Sequence, residues 1–232
     1  MNGYYAIAID GPSGAGKSTM ARRLAEAFGF LYVDTGAIYR TLGLACFRAG
    51  VDRKDEDAVM QVLPTLDIAL RYNEQGEQRM YLNGEDVSRE IRQPEISLCA
   101  SEVSAHQRVR TFLLEMQRKF ARENNVVMDG RDIGTVVLPE AELKIFLTAS
   151  PEARARRRFA ELKEKGSDVS FDEVLRDMIE RDEKDSSRAA APLRKAEDAV
   201  EVDTSDLGVE ESFGLLCEIV IQKLAVSPKK DA

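Results

Sequence analysis

Gly11-Pro12-Ser13-Gly14-Ala15-Gly16-Lys17-Ser18 fills the spacing G-x-x-x-x-G-K-[ST] without a mismatch. Those residue types can hold a chain of phosphates. Glycines let several backbone N–H groups converge on one anion, and a helix opening at the loop's end adds its positive dipole end. Lys17 supplies a point charge for the β- and γ-phosphates, and Ser18 a hydroxyl for Mg²⁺. The same letters could serve a plain glycine turn, so the flanks decide. An apolar, strand-like run over 4–10 precedes the loop; after Thr19, Met20, Leu24, Ala27 and Phe28 follow helical spacing, closed by Gly29. Gly11 through Thr19 therefore read as a nucleoside triphosphate site.

The elements that must position this loop alternate. Leu31-Tyr32-Val33 reads as a second strand, and 36–49 as an amphipathic helix ending at Gly50. Short apolar runs at 125–128 and 143–147 suit buried strands, with a weaker one at 199–202. Strands alternating with helices predict an α/β fold, a parallel sheet with helices on both faces. One segment departs from this: 67–72 and 79–82 alternate in character around Gly76, which predicts a β-hairpin in an insertion. One or two helices follow between 94 and 122, with Pro94 at a first helical position. A helix over 151–165 stops at Gly166, Ser170 and Glu173 form a capping box for a helix to about 185, and 209–224 is the last helix. Ser227 to Ala232 reads as a frayed tail.

Composition narrows the partners. With 41 acidic residues against 33 basic ones the net charge is −8, which argues against a nucleic-acid or anionic-membrane surface. No apolar stretch approaches the ~20 residues that span a bilayer, and Met1 to Tyr5 carries no basic leader region. Cys46, Cys99 and Cys217 are scattered and show no ligand spacing, so they read as reduced core thiols. A soluble cytoplasmic protein is expected, and nothing demands more than a monomer. Arginine is unevenly placed, clustering at 108–110, 154–158 and 181–188, whereas acid such as Asp52 to Asp57 is expected on helix faces.

Many classes share the phosphate loop, so the acceptor must be sought elsewhere. The N-K-x-D pattern of GTPases and the L-S-G-G-Q signature of transport ATPases are missing. Present instead are DTGAIYR at 34–40 and DGRDIGTVVLP at 129–139, each directly after a strand. Ligands of open parallel sheets bind beyond the carboxyl ends of the strands, so both motifs should share the loop's crevice. Together with GEDVSREIR at 84–92, RVR at 108–110, RDEKDSSR at 181–188 and APL at 191–193, they run in order through 4–205. In these motifs the chain strongly resembles the bacterial-type cytidylate kinases, of the nucleoside monophosphate kinase group. The resemblance implies a P-loop fold with five parallel strands in a single kinase domain over 1–232. Its core would be 1–63, 123–150 and 187–226, with a monophosphate-binding insertion at about 64–122 and a lid at about 151–186. It implies transfer of the γ-phosphoryl group of ATP to CMP and dCMP, with Mg²⁺ as cofactor.

The same resemblance implies roles for single residues. Lys17, Arg131 and Arg188 would be catalytic; Arg40, Arg131 and Arg188 would hold the acceptor phosphate. Arg181 and Asp185 would lie near the ribose, and Ser101, Arg110 and Asp132 would read the cytosine. Tyr39 would close a wall of the pocket, and Thr35 carries a hydroxyl where some relatives have Ser. The chemistry agrees. A phosphate monoester has its second pKa at roughly 6, so the attacking oxygen needs no base to deprotonate it. The difficulty is bringing two anions together, which permanently charged, bidentate guanidinium groups ease. A carboxylate at Asp132 accepts from cytosine's exocyclic amine and repels the carbonyl that uracil offers there.

Bland readings compete at several positions. Asp129 could order Mg²⁺ through water or merely cap its loop. Asp10 could simply anchor the turn of the phosphate loop. Arg154, Arg157 and Arg158 share a helix face; the resemblance places them in the lid, with Arg157 on ATP, yet Glu152 and Glu161 also allow a solvated face. His106 reads as a helix-surface residue, and Cys46 and Cys99 as packing. Two other functions stay open: a P-loop kinase for another small phosphate or hydroxyl acceptor, and an ATP-sensing module without transfer. The set of acceptor arginines counts against the sensor.

Overall fold

The computed structural model describes residues 4–164 and 166–229. In chain order the elements are β1 (Ala6–Asp10), α1 (Lys17–Phe28), β2 (Leu31–Asp34), α2 (Thr35–Arg48), α3 (Glu56–Val62), β3 (Ile68–Tyr72), β4 (Gln78–Leu82) and β5 (Glu85–Asp86). There follow α4 (Pro94–Ser104), α5 (Gln107–Glu123), β6 (Val126–Gly130), β7 (Leu143–Thr148), α6 (Pro151–Glu164), α7 (Phe171–Ser187), β8 (Val200–Asp203) and α8 (Val209–Leu224). Two compact units divide the chain: one runs to Tyr32 and resumes at Ala121, the other is Val33–Phe120.

The first unit is built on a five-stranded sheet in the order β2-β6-β1-β7-β8. β1 pairs in parallel with β6 and β7, and β7 with β8. β1 and β6 are buried at every residue, as strands covered on both faces require, which is why they read as unbroken apolar runs. Ile7, Ile9, Val127, Ile145 and Leu147 pack against Leu24 of α1 and Leu216 and Val220 of α8. The expected α/β P-loop architecture is what the chain adopts. α6 and α7 carry a small core of their own, Ala155, Val174 and Met178 with Phe159 and Phe171, and α7 opens on the expected Ser170–Glu173 capping box. Lys165, the expected end of α6, lies outside the described residues, as do 230–232 of the expected tail. Lys229 is not frayed: its N–H donates to the Ala27 carbonyl at 2.7 Å.

The second unit packs α2, α4 and the start of α5 against an antiparallel sheet, β3-β4-β5. The expected hairpin is there, with Gly76 at φ 74°, and gains the two-residue β5, too short to leave a pattern. This unit takes in α2 from Val33, because Ile38, Leu42 and Leu44 belong to the same core as Met80, Ile96 and Leu113. Two expectations need correcting. Asp52 and Asp55 accept turn and cap N–H groups instead of lying on a helix face. His106 sits in the turn after α4, its Nε2 2.8 Å from the Arg53 carbonyl oxygen. Cys46 and Cys99 are buried free thiols, as expected, whereas Cys217 on α8 is only half-buried.

Gly43 marks the close approach of α2 to α4. A Cβ there would lie 2.8 Å from the Ala100 nitrogen and 3.0 Å from the Cys99 carbonyl carbon. Backbone atoms cannot swing aside, so Gly43→Ala should cost about 1–3 kcal/mol in chemical denaturation. A change under about 0.5 kcal/mol would mean that the helices slide apart freely.

Candidate active site

Gly11 follows β1 at φ 149°, and a Cβ on it would stand 1.9 Å from the Leu147 carbonyl oxygen, so only glycine fits. Gly14 (φ 76°) and Gly16 (φ 89°) complete the curl, and α1 starts at Lys17 with no side-chain cap among the described residues. Lys17 is buried and its Nζ donates to the Pro12 carbonyl at 2.7 Å. Burial above all, then the Arg131 guanidinium, pushes the Lys17 ammonium well below its usual range; Arg181 adds to this while Asp129 and Asp10 oppose it. A polyphosphate anion is a ligand that would favour the charged form.

The Ser18 hydroxyl donates to Asp129 Oδ2, and the Tyr32 hydroxyl to Asp129 Oδ1, each at 2.9 Å. Asp129 lies one residue before the end of the buried strand β6, and Ser18 with Asp129 makes a pair of hard oxygen donors of the kind Mg²⁺ accepts. Tyr32 left no functional signal in the sequence, being one aromatic in a short buried strand. Asp10 does anchor a turn, but a different one. Its Oδ1 and Oδ2 accept from the N–H groups of Ile133 and Gly134, at 2.8 and 2.7 Å, in the DGRDIG segment.

Burial pushes the Asp10 carboxyl up to about 6, against the two N–H donors; Asp132 raises it further and Lys17 lowers it. A carboxyl raised on folding lends stability below its unfolded value near 4 and loses it as pH climbs through about 6. The stability of the wild type minus that of Asp10→Asn should therefore fall by about 2 kcal/mol between pH 4 and pH 7. A difference that stays flat with pH would contradict this placement of the charge.

Three of the expected arginines gather around one carboxylate. Arg131 Nε donates to Asp185 Oδ2 at 2.8 Å, and Arg188 comes within 3.8 Å of Asp185 Oδ1 and 4.0 Å of Asp132 Oδ1. Arg188 Nε is oriented by the Ala191 carbonyl at 2.7 Å. Burial alone would raise the Asp185 carboxyl, but Arg131, Arg181 and Arg188 together hold it below its ordinary value. Asp185 thus stays ionised and keeps the guanidinium groups assembled. Since Arg131 and Arg181 also act on Lys17, the phosphate loop and the arginine cluster lie within electrostatic reach of one another in the first unit, interleaved with the carboxylates of Asp10, Asp129, Asp132 and Asp185.

The arginines of α6 separate by burial. Arg154, almost wholly enclosed, donates to the carbonyls of Ala149 (2.8 Å) and Ser13 (2.9 Å) and to Asp182 (2.5 Å). It braces the crest of the phosphate loop, where Met178 and Arg154 also lie against Gly14. Arg157 donates to the Thr204 carbonyl and hydroxyl, and Arg158 pairs with Glu161 at 3.0 Å.

Within the second unit, Asp34 is the organiser that sequence reading passed over. Its Oδ1 caps α2 by accepting from Ala37 N–H at 2.9 Å, and its Oδ2 accepts from Arg40 at 2.6 Å, with Arg92 at 3.6 Å. Gln78 of the hairpin accepts from the Asp34 N–H at 2.8 Å, so the hairpin steadies the carboxylate that aims Arg40. A helix-cap residue three positions before Ala37 was the available signal. Thr35 and Tyr39 are buried on α2, Ser101 is half-buried on α4, and the Arg110 guanidinium lies 5.3 Å from the Tyr39 ring centroid while bonding the Ser104 carbonyl.

The family model for cytidylate kinase matches residues 7–225. This chain is a member of the cytidylate kinase family. A cytidylate kinase of Caldanaerobacter subterraneus subsp. tengcongensis is 53% identical over 205 residues, covering 88% of this chain and 89% of that protein. Cytidylate kinases of Carboxydothermus hydrogenoformans (51% identity; 94% and 97% covered) and Caldicellulosiruptor bescii (48%; 92% and 94%) are similar to it over nearly their whole lengths. Membership agrees with the arginine cluster beside the phosphate loop, because a family that joins two phosphorylated substrates needs more than a triphosphate loop. No helix among the described residues is long and apolar enough to cross a membrane.

Proposed function

We propose that this chain catalyses phosphoryl transfer from ATP to CMP and dCMP, giving ADP and the cytidine diphosphates, as a cytoplasmic monomer of pyrimidine nucleotide metabolism. An oxygen of the acceptor phosphate forms the new P–O bond to the γ-phosphorus, and the β–γ bridging oxygen leaves on ADP. The observation that carries the reading is the Arg131–Asp185–Arg188 cluster, with Arg131 and Arg181 acting on Lys17. Its guanidinium groups, planar and bidentate, suit the oxygens of two anions held close enough to react.

The residue roles follow. The N–H groups of 11–19 and Lys17 bind the ATP phosphates, and Arg157 reaches ATP from the lid. Arg40, Arg131 and Arg188 hold the acceptor phosphate, with Arg131 and Arg188 beside Lys17 offsetting the charge that builds in the transition state. Arg181 and Asp185 take the ribose; Ser101, Arg110 and Asp132 take the base, against Thr35 and Tyr39. Ser18 and Asp129, the carboxylate being fixed by Tyr32, would hold Mg²⁺, which when bound would supply charge neutralisation at the phosphate oxygens. The free thiols of Cys46, Cys99 and Cys217 support a reducing compartment.

A coupled assay of ADP release with and without CMP separates this from an ATP-sensing module. Release that depends on CMP is expected; equal rates in both arms would remove the proposal.

A further inference from the structure

We infer that Asp10 is a positioning residue for acceptor recognition, its two carboxylate oxygens fixing the turn that aims Arg131 and Asp132. The inference rests on the proposed function and adds a residue to it. Asp10 ends β1 and lies in register with Gly130, the residue before Arg131. Its own backbone has little freedom, since the next residue, Gly11, is pressed against Leu147. Ile133–Val137 forms one π-helical turn, whose first N–H groups have no partner within the turn. Asp10 takes two of them at 2.7–2.8 Å, with the short geometry of charge-assisted bonds.

The turn is also held from its other side. The stem of Lys144 lies 3.1–3.2 Å from where a Gly134 Cβ would be, and its ammonium is tied to Asp198 at 2.8 and 3.0 Å. Asp132 enters the turn at φ −145° and ψ 26°, a conformation that sets the direction of its side chain and is maintained by the bonds just after it. One carboxylate therefore links the strand that leads into the phosphate loop to the two residues proposed to hold acceptor phosphate and base.

Asp10→Asn keeps the size but leaves one acceptor oxygen and turns an NH₂ donor toward an N–H. Steady-state kinetics should show kcat/KM for CMP falling about 10- to 100-fold, KM for ATP staying within about threefold, and the CMP-to-UMP preference shrinking. Gly134→Ala, whose Cβ would press on Lys144 and come 3.4 Å from Asp10 Oδ2, should move the same three readouts less far and serves if Asp10→Asn does not fold. Unchanged CMP kinetics, or losses shared equally by CMP and ATP with the base preference intact, would overturn the inference. If the wild type turns over no cytidine nucleotide, the proposed function fails and the inference with it. A wild type active on CMP beside indifferent variants defeats the inference alone.

Discussion

Lys17→Ala should lower kcat for transfer to CMP by about 10³-fold or more while CMP binds within about threefold of its wild-type affinity. The Lys17 ammonium is buried, donates to the Pro12 carbonyl, and is held below its usual pKa by burial and by Arg131 and Arg181. A polyphosphate anion favours its charged form, so its contribution grows where negative charge builds on the transferring group. The proposed CMP contacts lie on other side chains, and alanine disturbs none of their mutual bonds. Titration calorimetry with CMP beside kcat from the coupled assay checks both halves. A folded variant that no longer binds CMP would show that Lys17 belongs to acceptor binding.

Asp132→Ala should reduce kcat/KM for CMP by about 10²- to 10³-fold and bring CMP and UMP within about tenfold of each other. The carboxylate is buried, so a base that leaves it unmatched is strongly penalised, and a base that satisfies it is strongly favoured. Alanine removes reward and penalty together. Arg188 loses a partner at 4.0 Å but keeps Asp185 at 3.8 Å, so phosphate binding should survive. Measured on both nucleotides, an unchanged CMP-to-UMP ratio would mean that cytosine is read elsewhere.

What could be read from the sequence, and what could not, divides by the range of the interactions. The phosphate loop was legible because its requirements are local: Gly11 has no room for a side chain, and Gly14 and Gly16 need positive φ. Strands β1 and β6 were legible because burial on both faces leaves a continuous apolar run. Asp10 was seen as an anchor but given the wrong turn, since its partners are 123 and 124 residues away. Tyr32 and Arg154 were missed or left open for the same reason. A strand tyrosine and a helix arginine look ordinary until Asp129 and the Ser13 carbonyl are brought to them by the fold. Asp34 is the reverse case. Its cap is local and readable, but its hold on Arg40 depends on the rotamer of a long side chain six residues on, which no local pattern fixes.

The most direct measurement is product formation by the wild-type protein with Mg²⁺-ATP and each of CMP, UMP, AMP and GMP in turn, followed by ³¹P NMR. The account predicts matched ADP and CDP signals with CMP, at a rate well above those with the other three. ATP consumed without a nucleoside diphosphate from the acceptor, or a purine monophosphate preferred over CMP, would contradict it.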